Sequence, residues 1–479
     1  MSDNAAPIKL FEKKERIFPK RVWGKYRKVK WVVMITTLAI YYLAPFLRWD
    51  RGPHAPDQAI LIDMPARRGY FFFIEIWPQE VYYLTGILIL AAVALFFATS
   101  LFGRVWCGYA CPQTVWTDLF VWVERIVQGD RAARMRLKKA PWTFDKLWKM
   151  ATTHALWLLI GLFTGGAWVF YFNDAPTLLE HIVHFDIPWS IGGWILALTF
   201  STYLMAGFAR EQVCMYMCPY SRFQSAMFDK DTLIITYDED RGEKRGKHKK
   251  GESWEGRGHC VDCTACVQVC PMGIDIRDGL QMECIACGLC VDACNNIMDK
   301  VELPRGLIRY DTTHNQEQRR QGAEEVTASA HFLRARTVWY TLVLCVVGGL
   351  MLYSLTNRAT LELHVLHDRN PLFVTLSDGS VRNGYNIKVL NKAYEDKHYS
   401  LTVHGIDGAE IRVQGAGAVD ASALPVFADS VGHFRVFVSA PKQADARTAI
   451  TFELIEVNSD ASLVANATTY ESIFASKRR

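Results

Sequence analysis

The sequence predicts a multidomain membrane protein with five transmembrane α-helices, a small cysteine-rich α+β domain and a C-terminal all-β sandwich. Three observations support this prediction. Five apolar stretches reach the roughly 20 residues that a helix needs to cross a hydrocarbon core. Eight cysteines crowd into residues 260–294, and an alternation of apolar and polar residues begins at about residue 358.

The apolar stretches lie at 31–49, 80–102, 152–172, 187–208 and 337–355. Each is rich in Leu, Ile, Val, Phe and Ala, and Trp and Tyr lie near the ends, as expected at membrane interfaces. The chain is half hydrophobic but still 22% charged. Because one soluble core could not bury five such helices, we expect a membrane domain joined to polar domains.

The distribution of Lys and Arg predicts the orientation of the helices. The first 30 residues carry ten of them and 103–150 carries nine, whereas 50–79 carries three and 173–186 none. Basic segments stay on the cytoplasmic side, so the N-terminus and the cysteine-rich domain are expected inside and the C-terminal domain in the periplasm. The first 30 residues have no apolar core, so we expect a basic cytoplasmic tail rather than a cleavable signal peptide.

These patterns divide the chain into seven segments. They are the tail at 1–30, a four-helix membrane domain at 31–222, a charged linker at 223–256, the cysteine-rich domain at 257–310, a connector at 311–336, the fifth helix at 337–355 and the sandwich at 358–479. In the last segment, seven short alternating runs are separated by Gly, Asp, Asn and Pro, which favours an antiparallel sandwich. A short strand is expected in "DTLIITYDED", just before the linker becomes strongly charged.

The cysteine-rich domain has the spacing of a bacterial ferredoxin that carries two [4Fe–4S] clusters. The first run is Cys260, Cys263, Cys266 and Cys270, followed by proline, and the second run is Cys284, Cys287, Cys290 and Cys294. In such domains the fourth cysteine of each run ligates the other cluster. The expected ligand sets are therefore Cys260, Cys263, Cys266 and Cys294 for one cluster, and Cys270, Cys284, Cys287 and Cys290 for the other. Zinc sites usually space two cysteine pairs a dozen or more residues apart, so zinc is disfavoured.

Two further cysteine pairs follow the second and fourth apolar stretches. They are Cys107 and Cys111 in "RVWCGYACPQTVW" and Cys214 and Cys218 in "EQVCMYMCPYSRF". In a helix, each pair would place both thiols on one face. The halves 31–111 and 152–218 share one order of helix, loop, helix and cysteine pair, so we expect an internal repeat whose copies bring four thiols together.

The chemistry of these four thiols stays open on sequence grounds. Soft thiolates select Cu(I), zinc or iron–sulfur clusters, and the thioethers of Met215 and Met217 would suit copper. A redox-active copper site is one interpretation. The others are dithiol–disulfide exchange, a third cluster, and cysteines that are merely packed at the helix ends.

The whole pattern resembles the CcoG family, also called FixG or RdxA. The resemblance is carried by the segment from "GHCVDCTACVQVCP" to "LPRGLIRY", by both CxxxCP motifs and by "RNPLFVTLSDGSVRNGYNIKVLNK" at 369–392. It covers almost the whole chain. It implies an immunoglobulin-like fold for the sandwich and a role in maturing the cbb-type haem–copper oxidase, in which Cu(II) is reduced to Cu(I) by thiols that correspond to Cys107, Cys111, Cys214 and Cys218.

The expected function of this inner-membrane protein is therefore electron transfer from an unknown donor, through a cytoplasmic two-cluster bacterial ferredoxin-like domain, to copper. The expected partners are membrane lipid and copper-handling proteins or cbb-type oxidase assembly factors. A homodimer is left open, and nucleic-acid binding has no support. Two alternatives are an electron-transfer subunit that serves a quinol or a partner reductase, as in NapH-like proteins, and a non-catalytic scaffold for oxidase assembly.

Overall fold

The structure is a computed structural model that describes residues 16–53, 55–248, 253–322, 333–414, 420–443, 445–457 and 463–476. The chain forms two compact units. One unit contains the chain up to Leu47 and Gln58–Met351, and the other contains Arg48–Asp57 and the chain from Leu352. Parts of the predicted tail (1–15), linker (249–252) and connector (323–332) lie outside the described residues.

The first unit begins with helices and a small sheet. In chain order these are α1 (Lys25–Leu43), β1 (Ile60–Asp63), β2 (Arg68–Phe71), β3 (Ile74–Ile76), α2 (Tyr82–Phe102), α3 (Val105–Tyr109), α4 (Pro112–Gln128), α5 (Arg131–Lys139), α6 (Phe144–Phe170), α7 (Ala175–Val183), α8 (Trp189–Leu204) and α9 (Pro219–Ala226). The antiparallel strands β1, β2 and β3 lie in the predicted loop 50–79. This sheet and helix α7 have no counterpart among the elements predicted from the sequence.

Five helices in the described residues are long and apolar enough to cross a membrane. They span Lys25–Phe46, Pro78–Phe102, Phe144–Phe170, Trp189–Ala209 and Ala335–Thr356. The five predicted stretches therefore correspond to five helices. The first begins at Lys25, earlier than predicted, because Arg27 and Lys30 are buried beside Asp118 rather than solvated: Arg27 Nη1 lies 2.8 Å from an Asp118 carboxylate oxygen.

Helices α6 and α8 pack closely because small residues line their contact. A Cβ at Gly161 would meet the carbonyl oxygen of Thr199 at 3.0 Å, and one at Gly165 would meet that of Ile195 at 2.7 Å. Glycines at this spacing let two helix backbones approach each other in a membrane. This contact pairs the two long helices of the second predicted hairpin.

The ferredoxin-like domain follows, with β4 (Ile234–Tyr237), α10 (Glu239–Gly242), α11 (Ala265–Val269), α12 (Leu289–Lys300), β5 (Ile308–Asp311) and α13 (Thr313–Arg320). Strands β4 and β5 pair antiparallel, with Ile234 opposite Asp311 and Tyr237 opposite Ile308. The expected short strand is thus present, but it belongs to the domain. The segment 223–256 is therefore not only a linker, because the apolar face of β4 is buried against the cysteine-bearing core.

Residues 16–24, which we call the strap, lie across the ferredoxin-like domain and the helices. Lys20 N donates to Gln268 O at 2.8 Å, while Arg134 Nη2 donates to Pro19 O at 2.5 Å. At the start of α1, Asp292 of α12 accepts hydrogen bonds from the backbone N–H groups of Tyr26 and Arg27. The end of the predicted tail is therefore a packed connection, because its backbone groups find partners in both parts of the unit.

The second unit follows α14 (Ala335–Thr356) and is all-β. Its strands are β6 (Leu361–His367), β7 (Val374–Thr375), β8 (Val381–Asn391), β9 (Lys397–His404), β10 (Glu410–Gln414), β11 (Leu424–Val426), β12 (Ser430–Ala440), β13 (Arg447–Val457) and β14 (Leu463–Ala475). One sheet has the order β10-β12-β8-β6, with β7 also on β8, and the other has the order β11-β9-β13-β14. Tyr385, Val389, Val436, Phe452 and Leu454 are fully buried in its core. The predicted sandwich is confirmed, with β11 and β14 added to the seven expected strands.

Candidate metal centre

The two CxxxCP motifs share one backbone arrangement. In each motif the N–H of the second cysteine donates to the carbonyl of the residue just before the first: Cys111 to Trp106 at 2.9 Å, and Cys218 to Val213 at 2.8 Å. The second cysteine then precedes the proline that begins the next helix, α4 or α9. The two copies of the predicted repeat therefore share the same backbone hydrogen bond at the cysteine pair.

The two cysteines of each pair do not lie within one continuous helix. Cys107 is in α3 and Cys214 is in a wide π-helical turn, Val213–Met217, but Cys111 and Cys218 are the extended N-cap residues of the next helices. Proline has no N–H and disfavours a helical conformation at the preceding residue. The helix must therefore break at the second cysteine, which turns its thiol towards the other copy of the motif.

The four thiols influence one another electrostatically. The pKa of Cys214 is raised to about 12, mainly by burial and additionally by Cys111, Cys107 and Cys218. Burial also raises the pKa of Cys107 to about 11, with smaller increases from Cys111 and Cys218 and an opposing effect of Arg104. The structure thus brings together both pairs, as the repeat predicted.

A hydrogen-bond network joins the two copies of the motif. Cys107 Sγ donates to Gln224 Oε1 at 3.2 Å, and Arg104 Nε donates to the same oxygen at 3.0 Å. Gln224, on α9, also donates from Nε2 to Thr99 Oγ1 at 3.3 Å. In the reverse direction, Gln113 of α4 donates to the carbonyl of Arg210 at 3.1 Å. Helix α9, which follows the second cysteine pair, therefore bonds residues just before the first pair. Helix α4, which follows the first pair, bonds a residue just before the second.

The structure separates the two candidate thioether ligands. Met215 packs against the apolar cluster that contains Cys107 and Cys214. Met217 is 58% exposed. Met215 is thus the candidate thioether that packs in the same cluster as Cys107 and Cys214.

The first cavity of the ferredoxin-like domain is lined by four cysteines drawn from both runs. Its lining residues are Tyr237, Cys260, Val261, Cys263, Thr264, Ala265, Cys266, Arg277, Cys294, Ile297, Met298, Leu307 and Ile308. Burial raises the pKa of Cys294 to about 12, and Cys266, Cys260 and Cys263 contribute next. Cys294 therefore faces the first run, which is the crossover that the spacing predicts.

The second cavity holds the other four cysteines. Its lining residues are Ile235, Cys266, Cys270, Met272, Ile274, Ile276, Cys284, Ile285, Cys287 and Cys290. Burial raises the pKa of Cys270 to about 12, with contributions from Cys287 and Cys284. It also raises the pKa of Cys290 well above its usual value, with Cys287, Cys284 and Cys270 as the next causes.

Both cavities fit a cubane iron–sulfur cluster in donor type and surroundings, since the first presents four thiols and the second five among mainly apolar side chains, with Cys266 lining both. Among the residues that the structure describes, no three Cys, His, Asp or Glu side chains form a closed metal site. This holds for the eight ferredoxin-like cysteines as well as for the four paired thiols. The cysteines of each set therefore lie near one another, but their side chains are not arranged as a closed metal site.

Several residues of the site have no sequence signal of their own. Gln224 Oε1 accepts hydrogen bonds from both Cys107 and Arg104, and Tyr109 OH donates to Cys287 O at 3.0 Å. These contacts span more than 100 residues of chain. Only the position of Arg104 and Tyr109 within a CxxxCP motif could have drawn attention to them.

The helices, the cysteine cavities and the sandwich together define a membrane-embedded iron–sulfur protein. Three family models agree with this class: a "4Fe-4S binding domain" matches residues 84–129, a "4Fe-4S dicluster domain" matches 209–313, and an "IG-like fold at C-terminal of FixG" matches 351–477. The immunoglobulin-like fold expected from the resemblance is thereby confirmed for the sandwich.

Relatives of known name then give the family. "Nitrogen fixation protein FixG" of Rhizobium meliloti is 49% identical over 94% of this chain and 92% of its own length. "Protein RdxB" of Cereibacter sphaeroides is 50% identical over 92% of each chain. "Ferredoxin-type protein NapH" of Haemophilus influenzae is 24% identical over 43% of this chain and 65% of its own length. The chain belongs to the FixG/RdxA family.

Proposed function

We propose that this protein reduces Cu(II) to Cu(I) at the four paired thiols, in support of assembly of a cbb-type haem–copper oxidase. One observation carries the proposal: Cys107 and Cys214, one thiol from each pair, pack in one apolar cluster with Cys287 and Cys270 of the ferredoxin-like domain. Copper is the substrate in this reaction. Each Cu(II) takes up one electron and becomes Cu(I), and an outside donor supplies that electron.

Two [4Fe–4S] clusters would supply one-electron transfer when bound. Cys260, Cys263, Cys266 and Cys294 would hold one of them. Cys270, Cys284, Cys287 and Cys290 would hold the other. The lining of the two cavities supports this crossed assignment.

The paired thiols suit a soft, singly charged ion. Burial raises the pKa values of Cys107 and Cys214, so without a metal these thiols keep their protons. Binding of copper then releases protons, because a thiolate is the metal ligand. Four thiolates, with the Met215 thioether beside them, favour Cu(I) over the harder Cu(II). This preference would make the reduction of bound Cu(II) to Cu(I) more favourable.

The test uses single serine variants of both pairs. Cys107→Ser and Cys214→Ser should each remove most of the copper reduction, and the double variant should lose little more, because residues that act as one unit fail together. Cys345→Ser, in the apolar part of α14, is the matched control and should reduce copper at the native rate. Unchanged reduction in both Cys107→Ser and Cys214→Ser would falsify the copper proposal.

Iron analysis distinguishes a third cluster at the paired thiols. The match of a "4Fe-4S binding domain" to 84–129 includes the first pair and favours this alternative chemistry. Two clusters give about eight irons per chain and three give about twelve, following from four irons per cluster. We expect about eight, with unchanged iron in the Cys107→Ser protein.

A quinol-linked electron-transfer subunit is the second candidate function. An apolar cavity of about 660 Å³ lies among the membrane helices, within the size range of ligand sites. Its lining includes Tyr42, Phe46, Phe163, Phe170 and Ile195. The similarity to NapH also favours this reading. Reduction of the clusters by added quinol, lost on Gly166→Trp in the cavity wall, would support it.

We place the protein in the bacterial inner membrane, with the strap and the ferredoxin-like domain in the cytoplasm and the immunoglobulin-like domain in the periplasm. The basic segments 1–30 and 103–150, expected on the cytoplasmic side, support this orientation. In this arrangement the reductant comes from the cytoplasm. Copper-handling proteins or oxidase assembly factors would be the partners.

A further inference from the structure

We infer that helix α3 positions the loop 282–287, with Gly108 and Tyr109 as the positioning residues, so that the second cysteine cavity rather than the first adjoins the paired thiols. The inference deepens the proposed function and rests on it. It concerns which cluster site is coupled to Cys107 and Cys214, and through which contacts.

Gly108 lies directly against the loop between two cysteines of the second cavity. A Cβ at Gly108 would meet the carbonyl oxygen of Ile285 at 2.6 Å and that of Ala286 at 3.0 Å. Real Cβ atoms do not approach a backbone carbonyl as closely as the first of these distances. Only glycine therefore lets the segment that carries Cys107 touch the loop between Cys284 and Cys287.

Hydrogen bonds on both sides of Gly108 fix the same loop. Tyr109 OH donates to the carbonyl of Cys287 at 3.0 Å, and Arg104 donates to the carbonyl of Met282. From the ferredoxin-like domain itself, Tyr310 OH donates to Ala286 O at 2.6 Å. The loop is thus held at both ends by α3 and its N-cap and in the middle by β5.

The space between the thiols and the second cavity is filled by shared side chains. Cys107, Ile285 and Cys287 belong to one buried apolar cluster, against which Cys214 and Cys270 also pack. A small cavity beside Cys214 shares Met272 and Ile285 with the second cavity. The first-cavity cysteines Cys260, Cys266 and Cys294, by contrast, belong to a different buried apolar cluster, which does not contain Cys107.

Reference variants first assign the signals. The protein is purified with both clusters, reduced in the absence of copper, and studied by electron paramagnetic resonance during a redox titration. Cys287→Ser identifies the component that belongs to the second cavity. Cys263→Ser and Cys294→Ser should both alter the other component, because Cys294 faces the first run.

Gly108→Ala is then compared with Gly193→Ala, where an added Cβ in α8 would meet no atom within 4 Å. We expect Gly108→Ala to keep its iron but to shift the spectrum and midpoint potential of the second-cavity component alone. Potentials depend on hydrogen bonds and exposure around a cluster, so Tyr109→Phe should shift the same component. Gly193→Ala should shift neither.

Two results overturn the inference: an unchanged second-cavity component in both Gly108→Ala and Tyr109→Phe, or a shift confined to the first-cavity component. If Gly108→Ala does not accumulate, Tyr109→Phe decides, since it removes only a hydroxyl. Because copper is absent from the titration, failure of copper reduction would leave these outcomes readable. The inference and the proposed function can therefore fail separately.

Discussion

At the scale of single residues, Glu124 is shared by three guanidinium groups. Its carboxylate oxygens lie 2.6 Å from Arg16, 2.8 Å from Arg134 and 2.6 Å from Arg210, and its side chain is 1% exposed. Burial by itself would raise the pKa of Glu124, but the charge and hydrogen bonds of Arg210, followed by Arg16 and Arg134, hold that pKa below its usual value. One carboxylate thus connects the strap, α4, α5 and the segment before Cys214.

Glu124→Gln should destabilise the protein strongly, because it leaves three arginines without their counter-charge. Removal of one partner from a buried charge pair costs about 3–5 kcal/mol. Thermal unfolding of the purified protein measures this loss. Asp145→Asn is the control, since it breaks only an exposed pair with Lys149, and such pairs contribute about 0–1 kcal/mol.

The same carboxylate predicts a pH dependence of stability. Because the pKa of Glu124 is lowered in the folded protein, its contribution is complete above the unfolded value of about 4.3. It is lost as the pH falls through the lower folded value. Native protein should therefore lose stability in acid more steeply than Glu124→Gln. Equal acid slopes for the two proteins would contradict this account.

Site residues could be predicted from the sequence where the chemistry of the site fixes the spacing of its ligands. They could not be predicted where their role depends only on contact with distant parts of the chain. The eight ferredoxin-like cysteines and the four paired cysteines follow from their intervals. Gly108 and Gln224 do not, because their roles depend on neighbours that lie more than 100 residues away. Met217 was predicted as a candidate ligand beside Met215 and proved to be exposed. Met217 is exposed because of its position in the wide π-helical turn, and the sequence does not show that this turn forms.

At the scale of elements, the five apolar helices and most strands of the sandwich could be predicted from the pattern of apolar residues along the chain. The residues at which these elements begin and end could not. Helix α1 begins at Lys25 because Asp292, on α12, caps its N-terminus. A carboxylate at this place also complements the positive end of the helix dipole. The pairing of β4 with β5 likewise joins segments on either side of both cysteine runs. Such long-range partners are absent from local sequence patterns.

Asp292→Ala should loosen the strap, because α12 would no longer present a carboxylate that accepts hydrogen bonds from the first backbone N–H groups of α1. Loss of a helix cap costs about 0.5–2 kcal/mol, and about 1 kcal/mol corresponds to a roughly fivefold rise in local opening. Trypsin cleavage at Arg21 should therefore accelerate about fivefold. Asp299→Ala is the control on the same helix, because Asp299 pairs only with the exposed Arg305. Native cleavage rates in both variants would rule out a clamping role for Asp292.

At the scale of the whole molecule, the distribution of Lys and Arg predicts opposite sides of the membrane for the ferredoxin-like and immunoglobulin-like domains. A reporter enzyme that is active only in the periplasm should be active when fused after Arg479 and silent when fused near Gly251. The positive-inside bias is the physical reason. A reversed pattern of activity would overturn the orientation, and with it the cytoplasmic source of electrons.

The central claim is that electrons from the ferredoxin-like domain reduce copper at the paired thiols. The most direct test is a single-turnover experiment, in which the purified protein is reduced without oxygen, freed of reductant and mixed with Cu(II). Electron paramagnetic resonance then follows Cu(II) and the reduced clusters together. We predict that one electron leaves the clusters for each Cu(II) signal lost, and that Cys107→Ser shows neither change. Loss of Cu(II) with the clusters still reduced and a disulfide formed, or persistence of Cu(II) in native protein, would contradict the account.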